Sequence, residues 1–359
     1  MAYFNYNRRK SSVAQIGDTP MGGENPIRIQ SMANVSTMDT EAAVAQAIRM
    51  IEAGAEYVRF TAQGEREARN LGEIRKQLNE QGYTTPLVAD IHFNPRAADA
   101  AAGEVEKVRI NPGNYVDKVK TFSHLEYTDE EYAAEIEKIR ERFVPFLNIC
   151  KAHGTAIRIG VNHGSLSDRI RYGDTPEGMV ASCMEFLRIC REENFPDVVI
   201  SIKASNTVVM VRTVRLLVRT MEAENMHYPL HLGVTEAGDG EDGRIKSAAG
   251  IGTLLCDGIG DTIRVSLSED PEAEMPVARK LVDYIREREN HRPIEASMAP
   301  GFDTVATCRR ISRVVEGIGG TFPPVVISDR SNGDFEFDHL SLPDYIYIGK
   351  EDLTCTAFL

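Results

Sequence analysis

The sequence predicts an α/β protein: a (β/α)8 TIM barrel over residues 1–287, followed by an incomplete second α/β segment over 288–359. Three observations point there. Eight short β-branched runs alternate with stretches of helical periodicity. The 359 residues exceed the roughly 250 that one parallel barrel uses, leaving room for a smaller unit. Five cations also sit inside apolar runs of a chain whose formal net charge is -13, at matching places in successive strands.

The first run, IRIQSM (27–32), precedes DTEAAVAQAIRMIEAGA, where Asp39 and Thr40 offer a helix cap, apolar residues recur at helical spacing, and Gly54 ends the pattern. Further strands follow at YVRFTA (57–62), LVADIHF (87–93), KVRINPG (107–113), AIRIGVN (156–162), VVISIKAS (198–205), LHLGVTE (230–236) and DTIRVSLS (261–268), with helical patterns between them. Doubly wound sheets also alternate strands with helices, but eight consecutive units with compact connections favour barrel closure. GDGEDG (238–243) superficially matches a calcium loop, lacks the full ligand series, and reads as a flexible βα connection. Beyond residue 287 come HRPIEASMAPGF, a helical DTVATCRRISRVVEGIGG (303–320), the strand-like PPVVISD and PDYIYIG, and EDLTCTAFL.

An apolar fraction of 42% and a charged fraction of 26% are those of an ordinary globular protein with ample core material. A pI near 5.2 argues against a general nucleic-acid or anionic-membrane binder, which needs a basic face, yet leaves room for a local basic pocket. The polar, basic MAYFNYNRRKSS carries no apolar core after it, and no run of about 18 apolar residues occurs, so a cytoplasmic protein without a membrane span is expected. The six cysteines, Cys150, Cys183, Cys190, Cys256, Cys308 and Cys355, form no C-x-x-C pair, and most read as buried small hydrophobes, with no metal ligands among them. Cys183 and Cys190, seven apart in a helical pattern, share a face at most.

Side chains of a strand alternate between faces, and in a barrel the apolar set packs under the helices. In IRIGVN, Ile157, Ile159 and Val161 then face outward, with Arg158, Gly160 and Asn162 inside. The same parity turns Arg59 and Thr61, Asp90 and His92, Arg109 and Asn111, Ser201 and Lys203, and Arg264 and Ser266 inward. These residues lie late in their strands, so they converge on the carboxyl-end mouth where TIM-barrel sites form.

Cations are almost never buried without partners, so Arg59, Arg109, Arg158, Lys203 and Arg264 imply a bound polyanion, a phosphorylated or diphosphorylated small molecule. The competing structural reading is an internal salt-bridge layer in which Asp90 and Glu236 neutralise some cations, but two carboxylates cannot neutralise five. His92 is a candidate ligand contact or proton carrier, and His153 reads as a surface or capping residue after a helix. Asn162 either orients an ester oxygen or stabilises a loop. Glu236, where its strand becomes a loop beside a cationic pocket, is a candidate general acid. Arg28, at the start of its strand, is structural.

GDTPMGGENPIRIQSM, TMDTEAAVAQAIRMIEAGAEYVRFT, ADIHFNP, KVRINPGN, IRIGVNHGSL, SIKASN, HLGVTEAG and GIGDTIRVSL run collinearly over about residues 16–268. Together they resemble the signature segments of the 4-hydroxy-3-methylbut-2-enyl diphosphate synthase family, reductive enzymes of the methylerythritol phosphate route to isoprenoids. The resemblance implies a TIM barrel that binds methylerythritol cyclodiphosphate at its mouth. It implies diphosphate contacts from Arg59, Arg109, Arg158, Lys203 and Arg264, helped by His92, Asn111, Asn162 and Ser266, and it matches Glu236 and Asp90 to acidic residues near the reacting end. The family's chemistry is a two-electron ring opening and dehydroxylation at a 4Fe-4S cluster, with electrons from ferredoxin or flavodoxin; a homodimer is compatible with it. Its cluster domain follows the barrel with a C-P-x-C-type pair, a third Cys and a Glu, none of which occurs here. Residues 288–359 instead resemble the start of the insert domain of the longer, plant-like branch, so the chain is expected to be truncated, with the cluster domain absent and turnover lost. Two alternatives stay open. One is a stand-alone phosphometabolite-binding protein; the other is a dihydropteroate-synthase-like barrel transferase, although five cations fit a diphosphate better than a pterin.

Overall fold

The computed structural model describes residues 5–92, 94–117, 127–170, 172–297, 301, 303, 309–337 and 342–349. The chain divides into two units, residues 1–305 and 306–359.

In the first unit strands and helices alternate. They run β1 (Arg28–Met32), α1 (Thr40–Glu52), β2 (Tyr57–Ala62), α2 (Glu65–Glu80), β3 (Leu87–Ile91), α3 (Pro95–Ala101) and β4 (Lys107–Ile110). Two helices follow, the short α4 (Pro112–Tyr115) and the long α5 (Asp129–His153), then β5 (Ala156–Asn162), α6 (Pro176–Glu192), β6 (Val198–Lys203) and α7 (Thr207–Ala223). The unit closes with β7 (His231–Leu232), α8 (Gly240–Cys256), β8 (Thr262–Ile263) and α9 (Glu274–Arg286). The strands pair in parallel in the order β6-β5-β4-β3-β2-β1-β8-β7, and a parallel bridge between Ile200 and Leu230 joins the two ends into a ring. The eight-unit barrel expected from the sequence is therefore present.

Local chemistry sets the element ends. The Asp39 side chain accepts from the Ala42 amide at 3.1 Å and caps α1, and Gly54, at φ +107, turns the chain out of it. Thr128 and Glu131 form a reciprocal capping box at the start of α5. The outward residues Val58, Phe60, Ala89, Val108, Ile110, Ile157, Ile159, Ile200, Ile202 and Ile263 share one core with the helices, as strand parity requires.

A second, smaller cluster fills the amino-terminal end of the barrel. An N-terminal hairpin, bridged at Ala14 and Met21, inserts Ala14, Ile16 and Met21 against the inward residues Tyr57, Val88, Ala156 and Val199. This apolar plug seals the bottom, so the interior opens only at the carboxyl ends of the strands.

Three local expectations are corrected. β7 and β8 are two-residue strands rather than runs over 230–236 and 261–268, because beyond them the ladder reduces to single bonds such as Arg264 N to Leu232 O at 2.9 Å. The GDGEDG stretch is not all loop: Asp239 accepts from the Gly240 amide at 2.8 Å and α8 starts at Gly240. The helix expected over 303–320 is not formed at 309–320, where Val315 and Ile318 make an antiparallel bridge. Glu316, Gly317, Gly319 and Gly320 there all take positive φ, which a right-handed helix excludes.

In the second unit, β9 (Ile327–Asp329) and β10 (Tyr345–Tyr347) form a parallel pair. Cys308, Cys355 and the EDLTCTAFL segment lie outside the described residues.

Candidate functional site

Above the apolar plug the barrel interior becomes cationic. A cleft of about 110 Å³ at the mouth is lined by Arg59, Arg109, Arg158, Lys203 and Arg264, with Asn162 and Ser266 beside them. Seven of the residues expected from the sequence therefore meet in one place. Ser201, turned inward by the same parity, and Thr235, which was not foreseen, complete the lining. Larger grooves of about 530 Å³ lie on the helical exterior, one of them at Gly72, Arg75 and Lys76, but no ring of inward charges converges there.

The cations are deeply buried: Arg158 is 1% exposed, Arg109 5%, Lys203 6% and Arg59 8%. Asp90, fully buried, is their main counter-charge. It ion-pairs with Arg59, takes Arg109 Nη1 at 3.1 Å, and meets His92 Nε2 at 3.0 Å. Burial pushes the Asp90 carboxyl up, but Arg59, Arg109, the His92 hydrogen bond and Arg158 outweigh it and hold it well below the usual carboxylate range. Such a group stays ionised and fixes both arginines as their shared counter-charge. Glu274, from α9, does the same for Arg264 at 3.3 Å and accepts from Ser31 Oγ at 2.6 Å. The salt-bridge layer is thus real but incomplete: among the described residues neither Arg158 nor Lys203 has an ion-pair partner, and Arg158 Nε and Nη1 have no hydrogen bond.

Glycines make room for these long side chains. A Cβ on Gly160 would stand 2.5 Å from Arg109 Nε, and one on Gly233 2.9 Å from Lys203 Nζ. Arg109 Nη2 donates to the Gly160 carbonyl at 2.8 Å, which fixes the guanidinium across β5. The Asn162 amide belongs with its oxygen toward Arg109 Nη2, at 3.2 Å.

The remaining expected residues stand outside the cleft lining. Asn111 is committed locally: its oxygen accepts from the Gly113 amide at 3.2 Å, capping α4, and its Nδ2 donates to Ser165 Oγ at 3.0 Å. His92 is half-buried behind Asp90. Glu236 is exposed on the β7–α8 loop, with a left-handed backbone at φ 52, and its carbonyl accepts from Lys246 Nζ at 2.9 Å. A non-glycine residue there stores strain, a trait of functional loops.

Two further titratable groups lie deeper in the barrel. Lys107 precedes Arg109 by one strand period, and its Nζ is buried without a hydrogen bond, 4.0 Å from the centroid of the Tyr57 ring. Both ring nitrogens of buried His231 also lack partners. Burial, followed by Arg158 and Arg59, pushes Lys107 well below the usual lysine range. The Tyr57 ring attracts an ammonium by about 2 kcal/mol or more in a desolvated site, which opposes a desolvation cost of several. Burial also lowers Lys203 and His231, with neighbouring cations adding to it. Neither Lys107 nor His231 was foreseen, although the parity that selects Arg109 selects Lys107 too.

No group of three or more His, Cys, Asp or Glu among the described residues is arranged to hold a metal. Cys150, Cys183 and Cys190 are buried in α5 and α6, and burial raises all three thiols, so they do not fit thiolate ligation of a 4Fe-4S cluster. No described helix is long and apolar enough to cross a membrane.

The GcpE TIM-barrel domain model matches residues 11–279. This chain belongs to the GcpE family. The chain is 98% identical over 354 residues to a 4-hydroxy-3-methylbut-2-en-1-yl diphosphate synthase (flavodoxin) of Parabacteroides distasonis, covering 98% of this chain and 58% of that protein. Proteins of the same name from Bacteroides thetaiotaomicron and Porphyromonas gingivalis are 68% and 61% identical, with 98% and 96% of this chain and 57% and 59% of theirs covered. The GcpE chain described here thus spans under two thirds of the length of these relatives. A sialic acid synthetase from Leptospira borgpetersenii shares the fold alone, with a TM-score of 0.51 at 12% identity over 81% of this chain and 94% of its own.

Proposed function

We propose that this barrel is the diphosphate-binding part of a 4-hydroxy-3-methylbut-2-enyl diphosphate synthase, and that its ligand is methylerythritol 2,4-cyclodiphosphate. The observation that carries the reading is the ring of Arg59, Arg109, Arg158, Lys203 and Arg264, two of whose members lack an ion-pair partner among the described residues. The printed name of the 98% identical relative supports the choice of substrate. A cleft of about 110 Å³ is well under the roughly 300 Å³ of a drug-sized pocket, so it suits the phosphates while the carbon skeleton faces the mouth.

In this reading Arg158 and Lys203 meet phosphate oxygens directly, and Arg59, Arg109 and Arg264 are held ready by Asp90 and Glu274. Asn162 and Ser266 orient the ester oxygens. His92 and Asn111 act one step back, through Asp90 and through the β4–β5 loops. Glu236 is the proton donor at the mouth for the oxygen that leaves as water, while Asp90 serves as fixed counter-charge. A 4Fe-4S cluster, fed by flavodoxin, which the relatives' names carry, or by ferredoxin, would supply the two electrons. The cluster's ligands would belong to the part of such relatives that this chain does not span, and residues 288–359 to the beginning of an insert domain. We place the whole protein in the cytoplasm.

Calorimetry with the cyclodiphosphate tests the site. Each charge-assisted contact contributes about 1.5–3 kcal/mol, so Arg158→Ala and Lys203→Ala should each weaken binding from about tenfold to over a hundredfold. Unchanged affinity in both variants rejects the assignment.

A further inference from the structure

We propose that Lys107 is an internal proton acceptor of this anion site: a neutral amine in the free barrel that takes up a proton when a diphosphate enters the ring, adding a sixth cation one layer below it. The inference rests on the diphosphate reading and adds to it a coupled protonation.

The geometry begins with strand register. Lys107 and Arg109 lie two residues apart on β4 and point to the same interior, separated along the strand by about 6.6 Å. Arg109 pairs in register with Arg158 of β5, and Lys107 with Ala156, whose methyl brings no polar atom to Nζ. The groups facing this interior are Tyr57 and Arg59 from β2, Asp90 from β3, Arg109 from β4 itself, Arg158 from β5, Lys203 from β6, His231 from β7 and Arg264 just past β8. Gln30 from β1 is buried there too, with both amide atoms unpartnered. Asp90 spends its oxygens on Arg59, Arg109 and His92, and Glu274 serves Arg264. No carboxylate among the described residues is paired with Lys107, whose Nζ has only the Tyr57 face.

An ammonium there would stand beside uncompensated guanidinium groups in a water-poor interior, so the free barrel holds the amine. A diphosphate seated on Arg158 and Lys203 reverses the local charge balance. Nζ then gains a proton from solvent, –NH2 becoming –NH3+, with no bond to the ligand. A cyclic diphosphate suits the measurement because each phosphorus carries only a strongly acidic hydroxyl, and the ligand contributes no titration near neutrality. Linkage fixes the sign. Where pH lies above the free-state and below the bound-state value of Lys107, Lys107 takes up one proton per ligand, and this uptake alone makes affinity fall about tenfold per pH unit as pH rises.

The experiment is calorimetry of the cyclodiphosphate at neutral pH in buffers of different ionisation enthalpy, on the wild-type chain, Lys107→Met and His231→Gln. The expected result is net proton uptake by the wild type, about one proton less in Lys107→Met, and no change in His231→Gln. Binding without uptake, or equal uptake in wild type and Lys107→Met, overturns the proposal while leaving the ring intact. Failure of the wild type to bind overturns the diphosphate reading first and this inference with it. If Lys107→Met does not fold, NMR of lysine labelled at Cε decides: the Lys107 resonance, told from that of buried Lys203 by its persistence in Lys203→Ala, should move from the amine to the ammonium position on ligand addition. A resonance that stays fixed rejects Lys107.

Discussion

A lysine buried as an amine burdens the fold, because the unfolded chain keeps the proton that the folded chain must release. Lys107 has its folded pKa lowered, so folding sheds a proton at every pH between that value and the ordinary lysine pKa near 10.4. The cost is greatest at the low end of this window and fades as pH approaches 10. Lys107→Met, which keeps the volume and removes the charge, should raise the melting temperature at pH 7. The gain should shrink by about 1.4 kcal/mol per pH unit toward pH 10. A thermal-melt series from pH 7 to about 10 checks both; a Met variant less stable than wild type at pH 7 would place a charged Lys107 in the free fold instead. Parity read Arg59, Arg109, Arg158, Lys203 and Arg264 correctly from sequence because each lies between apolar neighbours that must face helices. Lys107 opens its strand, where a lysine reads as an ordinary flanking residue, and Glu274 comes from a helix that strand alternation does not address.

At the level of elements, the mouth depends on how closely β4, β5 and their loops approach. A Cβ on Gly113 would come 1.6 Å from the Ser165 carbonyl oxygen, and Ser165 Oγ joins Asn111 Nδ2 to the Asn162 carbonyl, at 3.0 and 2.8 Å. Gly113→Ala must therefore part the two loops and should destabilise the barrel by at least about 1–3 kcal/mol in denaturant unfolding. Gly160→Ala acts more selectively, because its methyl meets the middle of the pinned Arg109 side chain. Binding of the cyclodiphosphate should weaken at least about tenfold, a change calorimetry resolves easily; wild-type affinity would mean that Arg109 is not needed where β5 holds it. The eight strands were legible in sequence because apolar, β-branched runs alternate with stretches of helical spacing throughout the barrel. The N-terminal hairpin was not, since Ala14, Ile16 and Met21 lie too far apart to show a period. The stretch 309–320 misled for the opposite reason: its apolar residues follow helical spacing, while Gly317, Gly319 and Gly320 close a tight turn.

Across the whole molecule two fields compete. The formal net charge of -13 repels a multiply charged anion from a distance, whereas the buried ring attracts it at contact. Salt separates them, since the screening length falls from about 10 Å at 0.1 M to 3 Å at 1 M while buried pairs are screened much less. If the ring holds the ligand, raising sodium chloride from about 0.05 to 0.5 M should weaken cyclodiphosphate binding by less than about tenfold. Inorganic phosphate at matched ionic strength should weaken it far more, because it occupies Arg158 and Lys203 rather than screening them. The competition should also weaken in Lys203→Ala, which leaves Arg158 without its unpaired partner to hold the phosphate. Equal weakening by chloride and phosphate in the wild type would mean that diffuse surface charge, and not the inward-facing cations of β2, β4, β5 and β6 and just past β8, selects the ligand.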